Sequence, residues 1–193
     1  MIQTVLEPNH LGIAPGQRLN AAEFYQLCMT YPDQSLELTA NGELIIVSPV
    51  GGIGGAQEAS LIGQVWAWNA TKKLGQVFSS STIFRLPNGA HRSPDVAWVK
   101  LGRWQTLTEI ERQKFPPLCP DFVIELRSPS DRLIVLQEKM QEYLANGCHL
   151  AWLIDLQNQQ IEIYRPGLAC ETQSLPTRLE GGELLPGLVM TIN

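Results

Sequence analysis

The chain has 193 residues, of which 44% are hydrophobic and 17% are charged, and its formal net charge is −5. These values predict a single folded domain with its own hydrophobic core, and they exclude a disordered protein. The acidic balance disfavours a strongly electrostatic nucleic-acid binder, although a local basic patch could still contact phosphates. The basic residues considered for such a patch are Lys72, Lys73, Arg85, Arg92, Arg103, Arg112 and Lys114.

The sequence contains neither a membrane-spanning stretch nor a recognisable secretory signal. Residues 1–8 lack a basic region followed by an apolar one, so we expect a cytoplasmic protein. Cys28, Cys119, Cys148 and Cys170 form no C-x-x-C pair and are interpreted as reduced structural thiols.

The first part of the chain predicts a loose lead-in over residues 1–19, then a helix and a hairpin. Asn20 is a typical N-cap, and the apolar residues that follow it share one face of a helix predicted over 21–29. The Asn41-Gly42 pair lies between two apolar runs, which strongly indicates a β-hairpin over 36–47.

A glycine-rich segment, residues 48–55, separates this hairpin from a second helix, predicted over 56–73. The segment lacks the phosphate-loop pattern G-x-x-x-x-G-K-[ST] and is interpreted as a flexible linker. The apolar stripe of the helix consists of Leu61, Val65 and Trp68, widened by Ile62 and Trp66.

The remaining chain alternates between short strands and helices. Ser128 or Ser130 is the predicted cap of the longer helix, which Asn146-Gly147 ends. This order predicts an α/β (α+β) protein in which helices flank a central mixed β-sheet. Strands are predicted at 76–80, 82–86, 95–99, 122–126, 149–156, 161–164, 175–179 and 188–192, and helices at 109–114 and 131–146.

Glu125 is an unusual residue for the middle of an apolar strand. A buried ionised carboxylate is costly unless a cation or hydrogen-bond donors compensate it. Arg127 lies two residues further on the same strand face, and Asp95 opens a neighbouring strand-like run. Two adjacent carboxylates repel each other, and Mg²⁺ or Mn²⁺ would neutralise them. The alternative is a structural ion pair with Arg92 or Arg127.

Lys139 could supply a further cation to this site. Helical projection places it at the edge of the apolar face of the helix over 131–146, from which it can reach the end of the Glu125 strand. The alternative is a lysine whose stem lies along the helix flank and whose ammonium group stays in water.

One ordered set of motifs extends from about Phe24 to the C-terminus. It consists of the hairpin, Ser-Pro-Asp-Val-Ala at 93–97, Phe-Val-Ile-Glu-Leu-Arg-Ser-Pro-Ser-Asp at 122–131, Lys139 with Tyr143, Asn146-Gly147, and Ala-Trp-Leu-Ile-Asp at 151–155. In this order the motifs resemble the Uma-type putative restriction endonuclease family, which belongs to the PD-(D/E)XK nuclease superfamily.

The resemblance implies a restriction-endonuclease-like core in which Asp95 and Glu125 bind Mg²⁺ or Mn²⁺. The superfamily usually has lysine two positions after the glutamate, but here that residue is Arg127. Arginine stays protonated, so it could orient phosphate but could not act as a base. Lys139 is then expected to take the role of the lysine. Glu37 and Glu58 are two further candidate acids.

The implied activity is that of a Mg²⁺-dependent endonuclease that hydrolyses DNA, with a homodimer gripping both strands. The alternative is a nuclease fold retained as a catalytically inactive DNA-binding or protein-interaction module. The acidic net charge and the arginine at position 127 favour this alternative.

Overall fold

The computed structural model describes residues 8–192, with side chains from residue 10 onward. The predicted lead-in and the segment inspected for a signal therefore lie partly outside the described residues. A 3-10 turn, Pro8–Leu11, comes before the first helix. The elements that follow are α1 (Ala21–Thr30), β1 (Leu36–Leu38), β2 (Leu44–Ile46), α2 (Gly52–Lys72), β3 (Gly75–Ser79), β4 (Phe84–Arg85), β5 (His91–Arg92), β6 (Val96–Lys100), α3 (Leu101–Thr106), α4 (Glu109–Gln113), β7 (Phe122–Leu126), α5 (Leu133–Ala145), β8 (Leu150–Asp155), β9 (Gln160–Tyr164), β10 (Glu171–Ser174), β11 (Thr177–Glu180) and β12 (Val189–Ile192).

The predicted central mixed sheet is present. It has six strands in the order β10-β9-β8-β7-β6-β3, and β7 and β8 are parallel neighbours. The other neighbouring strands in this sheet are antiparallel. Helix α5 connects the two parallel strands, as a parallel pair requires a crossover connection.

Helices cover both faces of this sheet. The apolar side chains of its strands alternate between the two faces, so each face has apolar surface that a helix can bury. On one face, Phe122 and Ile124 of β7 belong to a core that includes Leu61 and Val65 of α2. On the other face, Val123 packs in a separate core with residues of α5. Glu125 continues the alternation from Val123, which directs its side chain towards α5.

The predicted hairpin belongs to a second, smaller sheet with the strand order β2-β1-β5-β4. Leu36 and Leu38 of β1 are buried in a third core together with Phe24 and Leu27 of α1. The predicted cap of α1 is confirmed, because the Asn20 side chain accepts hydrogen bonds from the first turn of the helix. This small sheet lies between α1 and the candidate site described below.

Three predictions for the long helices are wrong. Residues 52–55 are not a linker but the first turn of α2, and Trp66 is 63% exposed rather than part of the apolar stripe. Neither Ser128 nor Ser130 caps α5, since their hydroxyl groups bond to each other and the helix begins after Arg132 without a side-chain cap. The sequence pattern does not show which local hydrogen bonds a serine side chain makes. It therefore did not distinguish a helix cap from a bond between two neighbouring serines.

Two predictions for the C-terminal half also need correction. The segments near 175–179 and 188–192 do not complete the central sheet, because β11 and β12 pair in a two-stranded sheet of their own. The polar stretch after β6 contains the additional short helix α3. None of the helices within residues 8–192 is long and apolar enough to cross a bilayer.

Candidate active site

The pairing of β6 with β7 brings the two predicted carboxylates to the same place. Val96 pairs with Ile124 in an antiparallel register, and Asp95 and Glu125 are the next residues outward. The backbone N–H of Leu126 donates a hydrogen bond of 2.6 Å to Oδ2 of Asp95. The carboxylate of Asp95 is thereby held against the end of the strand that carries Glu125.

Helix α5 supplies two partners to Glu125. Nζ of Lys139 lies 2.8 Å from Oε1 of Glu125, and the hydroxyl group of Tyr143 donates a 2.9 Å hydrogen bond to the same oxygen. Lys139 and Tyr143 are four residues apart and therefore lie on one face of the helix. The predicted reach of Lys139 to the Glu125 strand is thus observed.

The small sheet contributes Glu37 of β1 to the same group. Its Oε1 accepts hydrogen bonds from Nζ of Lys139 at 2.9 Å and from the backbone N–H of Ser93 at 2.8 Å. Its Oε2 lies 3.1 Å from Nη1 of Arg92, whose Nε donates a 2.6 Å hydrogen bond to Glu142. Five side chains therefore form a continuous chain of ion pairs: Glu142, Arg92, Glu37, Lys139 and Glu125.

These groups line a cavity of about 640 Å³ between the small sheet, the end of β7 and α5. Asp95 also lines an adjoining cavity, together with Glu58. The hydroxyl group of Ser80 donates a hydrogen bond to Glu58, whose charge raises the pKa of Asp95. Glu58 thus lies near the site but lines the adjoining cavity.

Burial disfavours ionisation of both central carboxyl groups. It raises the pKa of Asp95 to about 6, although the hydrogen bond from Leu126 and the charge of Lys139 act in the opposite direction. Burial also raises the pKa of Glu125 to about 8, against the attraction of Lys139 and with the repulsion of Asp95. These two carboxylates are therefore short of positive charge.

The pKa of Glu37 is shifted in the opposite direction. Burial opposes its ionisation, but Lys139 and Arg92 hold its pKa below the ordinary value. Burial equally opposes a charge on Lys139, but Glu125 and Glu37 raise the pKa of that lysine. Glu37 has two cationic partners, whereas Glu125 contacts one, Lys139, and the charge of that same lysine also favours ionisation of Asp95.

The donor set suits a hard divalent cation held by two carboxylates. Within residues 8–192, no group of three or more His, Cys, Asp and Glu side chains is arranged to hold a metal ion. Mg²⁺ commonly binds through one or two carboxylates and completes its shell with water and phosphate oxygens. Asp95 and Glu125 fit this pattern, because both are oxygen donors whose negative charge is incompletely compensated.

Arg127 lies beyond the end of β7, where its guanidinium group is bonded to other partners. Nη1 donates a 2.8 Å hydrogen bond to Asp155, and Nε donates to the carbonyl oxygen of Asp131. Asp155 also accepts hydrogen bonds from the backbone N–H groups of Gln157 and Asn158 in the turn after β8. The structure therefore places Arg127 in a turn-stabilising ion pair.

Among the described residues, neither Arg92 nor Arg127, the two arginines considered as ion-pair partners, pairs with Asp95 or Glu125. Arg92 is bonded to Glu37 and Glu142, and the cation beside Glu125 is Lys139. Glu142 is the member of the chain of ion pairs that sequence reasoning missed. Its position three residues after Lys139, on the same helical face, is the only local signal for it.

The raised pKa of Asp95 predicts a pH-dependent stability of the metal-free protein. The folded-state pKa, about 6, lies above the ordinary value of 3.8, so the protonated form stabilises the fold. This contribution is complete at low pH and is lost as the pH rises through about 6. Relative to Asp95→Asn, we expect the free energy of unfolding of the wild type to fall by about 1–3 kcal/mol between about pH 4 and pH 7.

Urea unfolding with a chelator present, at a series of pH values, measures this difference. Burial lowers the pKa of His91, so the contribution of His91 to stability changes with pH in the opposite sense. Subtracting the curve of the variant removes this contribution, since His91 is unchanged in both proteins. Parallel curves for wild type and Asp95→Asn would contradict the prediction.

Comparisons with known proteins identify the family and the fold. The sequence model of the Uma2 family, described as "Putative restriction endonuclease", matches residues 21–193. The fold is similar to the crystal structure of a putative nuclease belonging to DUF820 from Anabaena variabilis, with a TM-score of 0.73 and 18% sequence identity. The match covers 90% of this chain and 94% of that chain. No curated protein matches the sequence.

Proposed function

Because the chain belongs to the Uma2 family of putative restriction endonucleases, we propose that it is an endonuclease that hydrolyses DNA phosphodiester bonds with Mg²⁺ or Mn²⁺. One observation carries this proposal. Two buried carboxyl groups from adjacent strands, Asp95 and Glu125, share one cavity, and Lys139 is the cation within residues 8–192 that favours the ionised form of both. A divalent cation would remove this imbalance, as the resemblance in the motifs also implies.

The chain's own residues have distinct roles in this proposal. Asp95 and Glu125 would hold the metal ion, which would lower the pKa of bound water and offset the charge of the phosphate. Tyr143 and the backbone N–H of Leu126 orient these two carboxylates through hydrogen bonds. Lys139, whose ammonium group lies against Glu125, would stabilise the negative charge that develops on the phosphate.

Arg127 is assigned a structural role here, in place of the phosphate contact expected from the sequence. Its guanidinium group would have to leave Asp155 to meet a phosphate in the cavity. The buried Asp155 carboxylate would then lose its cationic partner, at a cost in stability. DNA as the substrate and a homodimer that grips both strands remain part of the proposal, as does a cytoplasmic location.

A second candidate function is a DNA-binding or protein-interaction module without catalysis. The observation that favours it is that both cations lining the cavity, Arg92 and Lys139, are already bonded to carboxylates. A cavity in which these ion pairs never open would not hold the phosphate to be cleaved, so the protein would bind its partner through another surface. Inactivity of well-folded protein with every divalent metal would support this alternative.

The test is cleavage of plasmid and single-stranded DNA with Mg²⁺ or Mn²⁺ by the wild type and by Glu125→Gln. We expect metal-dependent cleavage by the wild type and a loss of about 1,000-fold or more in the variant, because a neutral amide is a poor ligand for a hard cation. Glu162→Gln is the matched control, since Glu162 is also buried on the central sheet but lines a different cavity. Equal cleavage by all three proteins would contradict the assignment of the site.

A further inference from the structure

Glu37 is the acid of the cavity whose role the sequence leaves open. Its side chain is only 4% exposed, and both of its oxygens are occupied. Lys139 and the backbone N–H of Ser93 donate to Oε1, and Arg92 donates to Oε2. A metal ion at Glu37 would be repelled by the two buried cations, Lys139 and Arg92, that already contact its carboxylate. Glu37 is therefore poorly suited to be a third ligand beside Asp95 and Glu125.

The fold instead directs the side chain of Glu37 towards Lys139, the candidate catalytic residue of α5. Leu36 and Leu38 on either side of it are buried in the core beneath α1. Because side chains alternate along a strand, Glu37 projects from the opposite face of β1, towards α5. There it meets Lys139, which is 102 residues away in sequence. The small sheet thus brings one anion to the catalytic helix.

The rest of the small sheet supports this contact. Arg92 of β5 bonds to Glu37, and its Nε bonds to Glu142 on α5. The backbone N–H of Asn88 and its side-chain amide also reach α5, donating to Asn146 and to Glu142. Arg92 and Asn88 therefore attach the small sheet to α5, the helix that carries Lys139. These contacts fix the distance between Glu37 and Lys139.

We propose that Glu37 is the positioning residue of Lys139, and that it holds the lysine ammonium group between two carboxylates at the place where the substrate phosphate binds. The inference rests on the proposed nuclease function for its catalytic meaning. Without Glu37, Lys139 keeps one anionic partner, Glu125, and is drawn towards it and away from the phosphate. A bound divalent cation at Glu125 would weaken this remaining contact further, because like charges repel.

A double-mutant cycle tests whether Glu37 acts through Lys139. In Glu37→Gln, we expect kcat to fall about 10- to 100-fold, as for a misplaced catalytic group, with little change in KM. In a Lys139→Gln background, the same substitution should change kcat by no more than about twofold, because the residue that it positions is absent. Independent, additive losses would overturn the proposal.

Metal affinity separates a positioning residue from a ligand. Mn²⁺ binding, followed by calorimetry without substrate, should weaken by no more than about tenfold in Glu37→Gln, through the loss of one nearby negative charge, whereas Asp95→Asn should lose most of it. A loss of Mn²⁺ affinity in Glu37→Gln as large as that in Asp95→Asn would make Glu37 a ligand and overturn the proposal. Glu162→Gln, which neutralises a buried acid of another cavity, is the control.

A third measurement needs no activity, so it separates this inference from the proposed function. The side-chain ammonium protons of Lys139 should exchange slowly with water in the wild type, because the group is buried and bonded to two carboxylates. NMR should detect faster exchange in Glu37→Gln and unchanged exchange in Glu162→Gln. Unchanged exchange in Glu37→Gln would contradict the positioning role. If positioning is observed but no DNA is cleaved, only the proposed function fails.

Discussion

A Lys139→Met variant is expected to lose about 100- to 1,000-fold in the rate of metal-dependent DNA cleavage. Its free energy of unfolding is also expected to be about 3–5 kcal/mol lower than that of the wild type. Both effects have one cause. The ammonium group of Lys139 is the shared partner of Glu37 and Glu125, and both carboxylates are buried.

The stability loss arises because methionine fills a similar volume but brings no charge. Glu125 would keep its hydrogen bond to Tyr143, and Glu37 would keep Arg92, but Glu125 would lose the cation that favours its ionisation, so it would be an unpaired buried charge or would have to take up a proton. Divalent metal should restore part of the lost stability, because it can replace the missing positive charge beside Glu125. The affinity for Mn²⁺ is therefore expected to be retained or increased.

Urea unfolding at neutral pH and a plasmid-cleavage assay measure the two effects separately. Lys72→Met is the matched control. Lys72 is an exposed lysine on α2, so its replacement is expected to leave the free energy of unfolding and the cleavage rate nearly unchanged. Wild-type stability in Lys139→Met would show that the buried ion pairs contribute nothing to the fold. Wild-type cleavage would remove Lys139 from the catalytic proposal.

An Arg127→Met variant is expected to lose about 2–3 kcal/mol of stability, because the buried Asp155 keeps only uncharged donors. Cleavage by the folded variant should stay within about fivefold of the wild type, since the loss falls on the turn after β8 and not on the cavity. This outcome would distinguish the structural role from the phosphate contact that the superfamily motif suggests for this position.

The comparison with Arg127→Lys sharpens this prediction. Lysine keeps the positive charge near Asp155 but loses the second contact, which the arginine makes with the carbonyl oxygen of Asp131. The stability of Arg127→Lys is therefore expected to lie between those of the wild type and Arg127→Met. If Arg127→Met is as stable as the wild type but cleaves no DNA, the arginine acts on the substrate and the structural assignment is wrong.

Much of the central sheet follows from local pattern. The strand over 122–126 was predicted with its exact bounds, because its apolar run is bounded by proline residues on both sides. The predicted adjacency of the Asp95 and Glu125 strands is also present, since strands close in sequence tend to pair. The edges of the fold were predicted less well, and β11 and β12 pair with each other outside the central sheet.

The two candidate carboxylates, the helix that carries Lys139 and the resemblance to a nuclease family can all be predicted from the chain's own residues. Each of these depends on residues close together in the chain or on motif order. The partners of Arg127, the pairing of Arg92 with Glu142 and the contact between Glu37 and Lys139 were decided only by the tertiary structure. They join side chains on elements far apart in the sequence, and no periodicity within one element encodes how the small sheet docks on α5.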